Sequence, residues 1–251
     1  MRLSRAHAPR PFYGWAVVAG AWAMYMLNQA AFTWGFTVFV DPLAREHGWS
    51  RTAITIAWAL SLGWGLLLGP WFGRLFDCYG SRPLFVAGGV LTGAGWLLVP
   101  VATSYASFLA CFVLLVGTGV NGALGPSIGS AAIAQWFKAR RSLALGIYFT
   151  GSGGAGLLLI PLMSAVAQAY GWKAAAASLG AIALLITAIV APFMRSRPER
   201  YGLLPDGGPV EAGAAKSAAR REFLRRLPFP RHEGTADRDA TTAEALRQLA
   251  F

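Results

Sequence analysis

Charged positions stand in narrow clusters along this chain, separated by long apolar blocks. No Asp, Glu, Lys or Arg occurs over 11–40, 52–73, 83–137, 142–172 or 174–194. Crossing a hydrocarbon core as a helix takes about 20 mostly apolar residues. Four of the blocks hold one crossing each, and the third holds two, parted at the polar Thr103-Ser104-Tyr105. The pattern predicts six transmembrane helices near 13–40, 52–73, 83–102, 107–136, 142–169 and 174–194, an all-α polytopic membrane fold. Asp41-Pro42 is expected to end the first span, Ser50 to cap the second, and Gly171-Trp172-Lys173 to make the turn between the fifth and sixth. Trp15, Trp49, Trp136 and Trp172 fall near span ends, where amphipathic rings favour the headgroup layer.

Composition agrees. Charged residues are 13% of the chain and hydrophobic ones 55%, against about 25% charged in soluble domains. The formal charge of +11 does not point to nucleic acid, because the Lys and Arg sit at the ends of apolar runs, where they set membrane orientation. Arg45, Arg51 and Lys173 fall on one side; every other Lys and Arg falls on the side of the N-terminus. Both termini are therefore expected in the cytoplasm, with the protein in the inner (plasma) membrane. The apolar stretch from Phe12 to Val40 far exceeds a signal-peptide core of about 7–15 residues, so it reads as a retained first helix. Two cysteines are too few for a disulfide framework or a metal site; Cys78 and Cys111 are expected as free thiols, with no cofactor or metal.

The chain divides into an N-terminal segment 1–12, a six-helix domain 13–195 and a cytoplasmic linker 196–251 rich in Pro, Gly and charge, expected to be partly disordered. Within the linker, Ala215 to Leu227 has the pattern of a basic amphipathic helix, which would favour anionic lipid. Thr241-Thr242-Ala243-Glu244 is a capping box, the start of a would-be seventh helix.

The segment joining spans two and three reads Gly73-Arg74-Leu75-Phe76-Asp77-Cys78-Tyr79-Gly80-Ser81-Arg82-Pro83. Gly73 permits close helix approach, Gly80 can take positive φ, Pro83 suits the first turn of a helix, and Asp77 is an anion at the membrane edge suited to an Arg or a helix N-terminus. This segment resembles the signature of the major facilitator superfamily, G-x-L-x-D-x-x-G-x-R, at Gly73, Leu75, Asp77, Gly80 and Arg82. Cys78 and Ser81 stand where basic residues are common in that signature. The resemblance implies the N-terminal half of a major facilitator fold, a 3+3 inverted repeat. It also implies that Asp77 and Arg82 help latch two halves in the outward-facing state.

The next basic cluster, Trp136-Phe137-Lys138-Ala139-Arg140-Arg141 followed by Ala144 and Gly146, resembles the branch of monocarboxylate-transporter-like and oxalate/formate-exchanger-like carriers. Tyr13-Gly14-Trp15 and Gly48-Trp49-Ser50-Arg51 fit the same branch, and the resemblance covers residues 12–204. By that resemblance Arg140 and Arg141 join the latch. The implied function is secondary active transport of a small organic anion by alternating access, with a proton or a counter-anion as the coupled ion.

Polar residues inside spans are the candidate substrate path. Tyr25, Asn28, Gln29 and Phe32 share one face of the first span, and Asn121 lines up with Gly117 and Gly125 in the fourth, close to Ser127. The amides of Asn28, Gln29 and Asn121 suit either a substrate carboxylate or hydrogen bonds between helices; packing is the plainer role for Ser127, Trp22 and Trp34. No span carries a charged residue or a His, so a charged partner for the anion must lie elsewhere. Three arrangements follow: this half with a missing C-terminal half, a half-size transporter acting as a homodimer, or a sensor or scaffold that has lost transport. An intramembrane serine protease fails for lack of a base, because His7, His47 and His232 all lie outside the spans.

Overall fold

The computed structural model describes residues 13–195. The N-terminal segment 1–12 and the linker, with the helices expected at Ala215–Leu227 and from Thr241, lie outside the described residues. Among the described residues all regular structure is helical. Span one consists of α1 (Gly14–Asn28), a π-helical segment Gln29–Trp34 and α2 (Phe36–His47). Span two is α3 (Arg51–Tyr79) and span three is α4 (Ser81–Leu98). Span four joins α5 (Tyr105–Leu109), a π-helical segment Ala110–Ala123 and α6 (Pro126–Trp136). Span five joins α7 (Arg141–Phe149), α8 (Gly151–Gly154), a π-helical segment Ala155–Leu159 and α9 (Ile160–Tyr170); span six is α10 (Trp172–Val190). Spans two to six are five helices long and apolar enough to cross a membrane. Span one is not among them: Asn28 and Gln29 stand at its centre, and a turn at Gly35 divides it.

The helices run through the charged clusters instead of ending at them. Asp41-Pro42, expected to close the first span, lies inside α2. An interior proline removes its own N–H from the ladder and crowds the carbonyl four residues back, yet the helix continues past Pro42 until Gly48, whose φ of 67° makes a left-handed stop. Ser50 caps α3 as expected, its hydroxyl accepting from Ala53 N–H at 3.1 Å, and Asp41 pairs with Arg51 across the turn at 3.0 Å. Between spans two and three there is no loop. α3 continues to Tyr79 and α4 starts at Ser81, so Gly80 alone makes the turn, at φ 84°, a conformation that costs glycine nothing extra.

A repeat relates spans one to three to spans four to six. Ser61-Leu62-Gly63-Trp64-Gly65-Leu66-Leu67-Leu68-Gly69-Pro70 aligns with Ser152-Gly153-Gly154-Ala155-Gly156-Leu157-Leu158-Leu159-Ile160-Pro161, and Tyr79-Gly80 with Tyr170-Gly171 at the same offset. The two turn glycines have φ of 84° and 85°, so each repeat passes from its second to its third helix by the same one-residue device. The third helices of the repeats, α4 and α10, cross at glycines. A Cβ on Gly180 would lie 2.8 Å from the Gly93 carbonyl oxygen, and one on Gly93 would lie 3.0 Å from the Gly180 oxygen. Helices in lipid associate by such close packing, since lipid tails are as apolar as the side chains.

Two buried clusters fill the bundle. One gathers Met24, Phe85, Trp136 and Tyr148, and the other Phe39, Trp96, Phe108 and Phe112. At the second end, Glu46 accepts from the Trp172 indole N–H and pairs with Lys173, tying span one to the turn between spans five and six. The hydrogen bond from Lys173, and then that from Trp172, hold the Glu46 carboxyl below the usual carboxylate range.

Candidate functional site: polar pairs between the spans

Span four cannot be a regular helix at its midpoint. Leu124 N–H bonds back five residues to Gly119 O at 2.8 Å, and Pro126 has no N–H to give. Val120 O thereby loses its α-helical donor. Leu124 O loses its own as well, because Ile128 N–H goes to Gly125 O. Asn28 of span one supplies both: its amide donates to Val120 O at 2.6 Å and to Leu124 O at 3.3 Å. Asn28 is buried, so its amide bridges spans one and four through the break.

Gln29, the next residue, points to span five. Its amide N–H donates to Ser152 Oγ at 2.9 Å, its Oε1 accepts from Thr33 Oγ1 at 3.2 Å, and Trp34 Nε1 also reaches Ser152 Oγ at 3.3 Å. Trp34 is 49% exposed, so this polar knot opens onto the surface of the bundle. Asn121 makes the corresponding bond between spans four and two, its amide donating to Ser61 O at 3.1 Å. Ser61 and Ser152 are equivalent positions of the repeat. Each repeat thus sends an amide from its own first helix to the serine of the other repeat's second helix. Tyr25 packs its ring against Tyr148 and Phe149, at 4.6 and 5.6 Å between centroids. Trp22 donates to Thr150 Oγ1 at 3.0 Å.

Asn121 and Ser127 meet the signature segment in one cavity of about 360 Å³, with Asp77, Phe72 and Phe76 on its span-two wall. Asp77, Arg82, Arg140 and Arg141 are all exposed, as is Cys78, a free thiol. Gly80 is buried in its turn. Gly73 was expected to admit a close neighbour, yet nothing of the described bundle lies within 4 Å of where its Cβ would be; the same holds for Gly63 and Gly69 on span two and Gly153 and Gly156 on span five. These two spans also carry the repeat-related Leu66 and Leu157, 81% and 79% exposed.

The structure therefore brings Asn121, Ser127 and Asp77 together, and holds Asn28 and Gln29 apart from them on other interfaces. Sequence reading missed Ser152, Ser61, Thr33 and Thr150 as polar partners. The repeat carried a signal for the two serines, since both open the same S-x-G-x-G-L-L-L-x-P run.

The family model for the major facilitator superfamily matches residues 11–236. The chain belongs to the major facilitator superfamily. The superfamily consists of membrane transporters rather than enzymes, and within it this chain is of the monocarboxylate-transporter-like kind. It is 33% identical over 184 residues to monocarboxylate transporter 11 of Mus musculus, covering 72% of this chain and 40% of that protein. It is 30% identical over 174 residues to monocarboxylate transporter 1 of Rattus norvegicus, covering 68% of this chain and 34% of that protein. The MFS-type transporter pytF of Aspergillus terreus is 31% identical over 196 residues, covering 76% of this chain and 65% of that protein. The chain thus spans well under half the length of the two mammalian relatives. As a superfamily member it is a multi-pass membrane protein, whose bundle meets lipid on its outer surface.

Proposed function

We propose that this bundle carries a small organic anion of the monocarboxylate type by alternating access, moving against a second six-helix bundle, with a proton or a counter-anion as the coupled ion. The observation that carries this reading is the pair of repeat-related amide–serine bonds, Gln29 to Ser152 and Asn121 to Ser61. Polar groups at membrane depth are costly and mark substrate paths by default, and an amide N–H can exchange a serine oxygen for a substrate carboxylate. The bare glycines and exposed leucines of spans two and five supply a smooth face for the second bundle, whether the same polypeptide or a second copy provides it. In this reading Asp77, Arg82, Arg140 and Arg141 latch the two bundles at their basic end, and that end is cytoplasmic. The mammalian relatives bear the name of monocarboxylate transporters, which supports this substrate class.

The test is uptake of a labelled monocarboxylate panel by vesicles carrying this chain with its second bundle. Gln29→Leu and Asn121→Leu are expected to raise KM about tenfold, the cost of one hydrogen bond to a charged group, while the melting temperature holds. Lower melting temperatures with unchanged KM would make both residues packing groups. Saturable uptake by the chain alone would identify a second copy as the second bundle. Orientation has its own check: an impermeant thiol reagent applied outside is expected to label single cysteines at 44–48 and to spare Cys78 and a cysteine at 139. Outside labelling at 139 reverses the topology.

A further inference from the structure

Opposite the site, spans one and six leave an open apolar groove of about 260 Å³ at the basic end of the bundle. Its floor is Ala16, Ala19 and Gly20 of α1, and its wall is Val190 of α10 with Phe193 just beyond. At the edge of the groove Gly20 lets span six close against span one: a Cβ there would lie 2.9 Å from Met194 Sδ and 3.0 Å from Val190 Cγ1. Its rim is polar and built. Tyr13 donates its hydroxyl to Phe193 O at 2.9 Å, and the Arg195 guanidinium lies 4.0 Å above the centre of the Tyr13 ring. Trp136 Nε1 holds Arg195 by its carbonyl at 3.1 Å. Tyr13 therefore links Phe193 of the groove wall to the cation of Arg195.

We propose that this groove is a binding site for a single anionic phospholipid, its acyl chain lying over Ala16, Ala19 and Gly20 and its phosphate accepting from Arg195. Three observations select that occupant. The channel is apolar along its length and charged at one end, as a lipid is. Tyr13 is hydrogen-bonded to Phe193 of the groove wall and Trp15 stands in the same turn of α1, and such rings mark the headgroup depth of a bilayer. The same end carries Arg74, Arg82, Lys138, Arg140 and Arg141, and Asp77 is the one acid there among the described residues, so the local field favours an anion. A planar guanidinium also offers the forked donors that suit a phosphate, and basic pockets between helices are where anionic headgroups are held. The site owes nothing to the transport reading: it lies on other faces of spans one and six.

Native mass spectrometry of the purified 251-residue chain, released from micelles doped with phosphatidylglycerol and phosphatidylcholine, tests the proposal. The wild-type chain is expected to retain phosphatidylglycerol in preference to phosphatidylcholine. Arg195→Gln should cut that preference about fivefold, the effect of one basic residue near an anionic surface, and Arg195→Lys should keep most of it. Ala19→Leu fills the groove from an exposed position of its floor, and should lose bound phosphatidylglycerol with the charge intact. Melting curves in phosphatidylcholine alone confirm that each variant is folded. An undiminished preference in Arg195→Gln, or full retention in Ala19→Leu, overturns the proposal. Displacement of the lipid by millimolar inorganic phosphate would make the rim a soluble-anion site instead. A dimer that masks the groove and carries no lipid would make it a protein interface.

Discussion

Substituting leucine for Gly180 is expected to abolish the folded bundle. The nearest atoms to a new Cβ are the Gly93 carbonyl oxygen at 2.8 Å, Leu97 Cγ at 2.9 Å and Leu97 N at 3.0 Å. Two of the three belong to backbone, so no rotamer change can relieve the contact; α4 and α10 would have to separate. Overpacking a core costs about 1–3 kcal/mol when side chains can adjust, and here they cannot. The crossing is one of the main contacts between the repeats, beside those of span four with α3 and α4, and its loss opens the bundle between spans three and six. Size-exclusion chromatography and thermal melting in mild detergent read the effect. Gly156→Leu is the control, because nothing lies within 4 Å of its Cβ position; it should melt with the wild-type chain. A Gly180→Leu variant that stays monodisperse and melts with the control would show that the close α4–α10 crossing is dispensable for the fold.

Asp77→Asn is expected to slow transport by the complete two-bundle protein about tenfold or more while leaving its melting temperature unchanged. The substitution keeps volume and hydrogen-bonding capacity and removes only the charge. A hydrogen bond to a charged group contributes about 1.5–3 kcal/mol, and each 1.4 kcal/mol is about a factor of ten in an equilibrium. Asp77 stands exposed at the end of α3 and lines the cavity shared with Asn121 and Ser127. In the proposed cycle its partner belongs to the outward-facing state, so its loss raises the inward-facing population. Cysteine accessibility from the two sides measures that population directly. Unchanged uptake together with unchanged accessibility would remove Asp77 from the latch.

Asn28 shows how far a sequence reading of a polar residue can go. An amide at the centre of an apolar span had two roles open to it, substrate contact and interhelical bond. The choice depends on what faces it, and that is a matter of the break in span four. The orphaned Val120 and Leu124 carbonyls lie 92 and 96 residues away in the chain, and nothing near Asn28 in sequence announces them. Replacing Asn28 would leave both carbonyls without a donor in a medium that offers none.

Much of this protein was legible in the sequence because the bilayer is a demanding solvent. Six helices and the basic side of the bundle follow from where charges are absent and where they gather, since a backbone in lipid must be helical and a charge must sit near the membrane edge; the superfamily came by resemblance, at Gly73, Leu75, Asp77, Gly80 and Arg82. The Ser50 cap and the free thiols were equally local matters. Tertiary structure decided what depended on neighbours. It carried α2 through Pro42 and α3 through Asp77, reduced a supposed loop to Gly80 alone, paired Gln29 with Ser152 and Asn121 with Ser61, and left Gly73 bare while pressing Gly180 against Gly93. The reason is physical. Hydropathy is a property of each residue against its solvent and can be summed along a chain, whereas a hydrogen bond or a close glycine crossing exists only between two surfaces that the fold has brought to within a few ångströms.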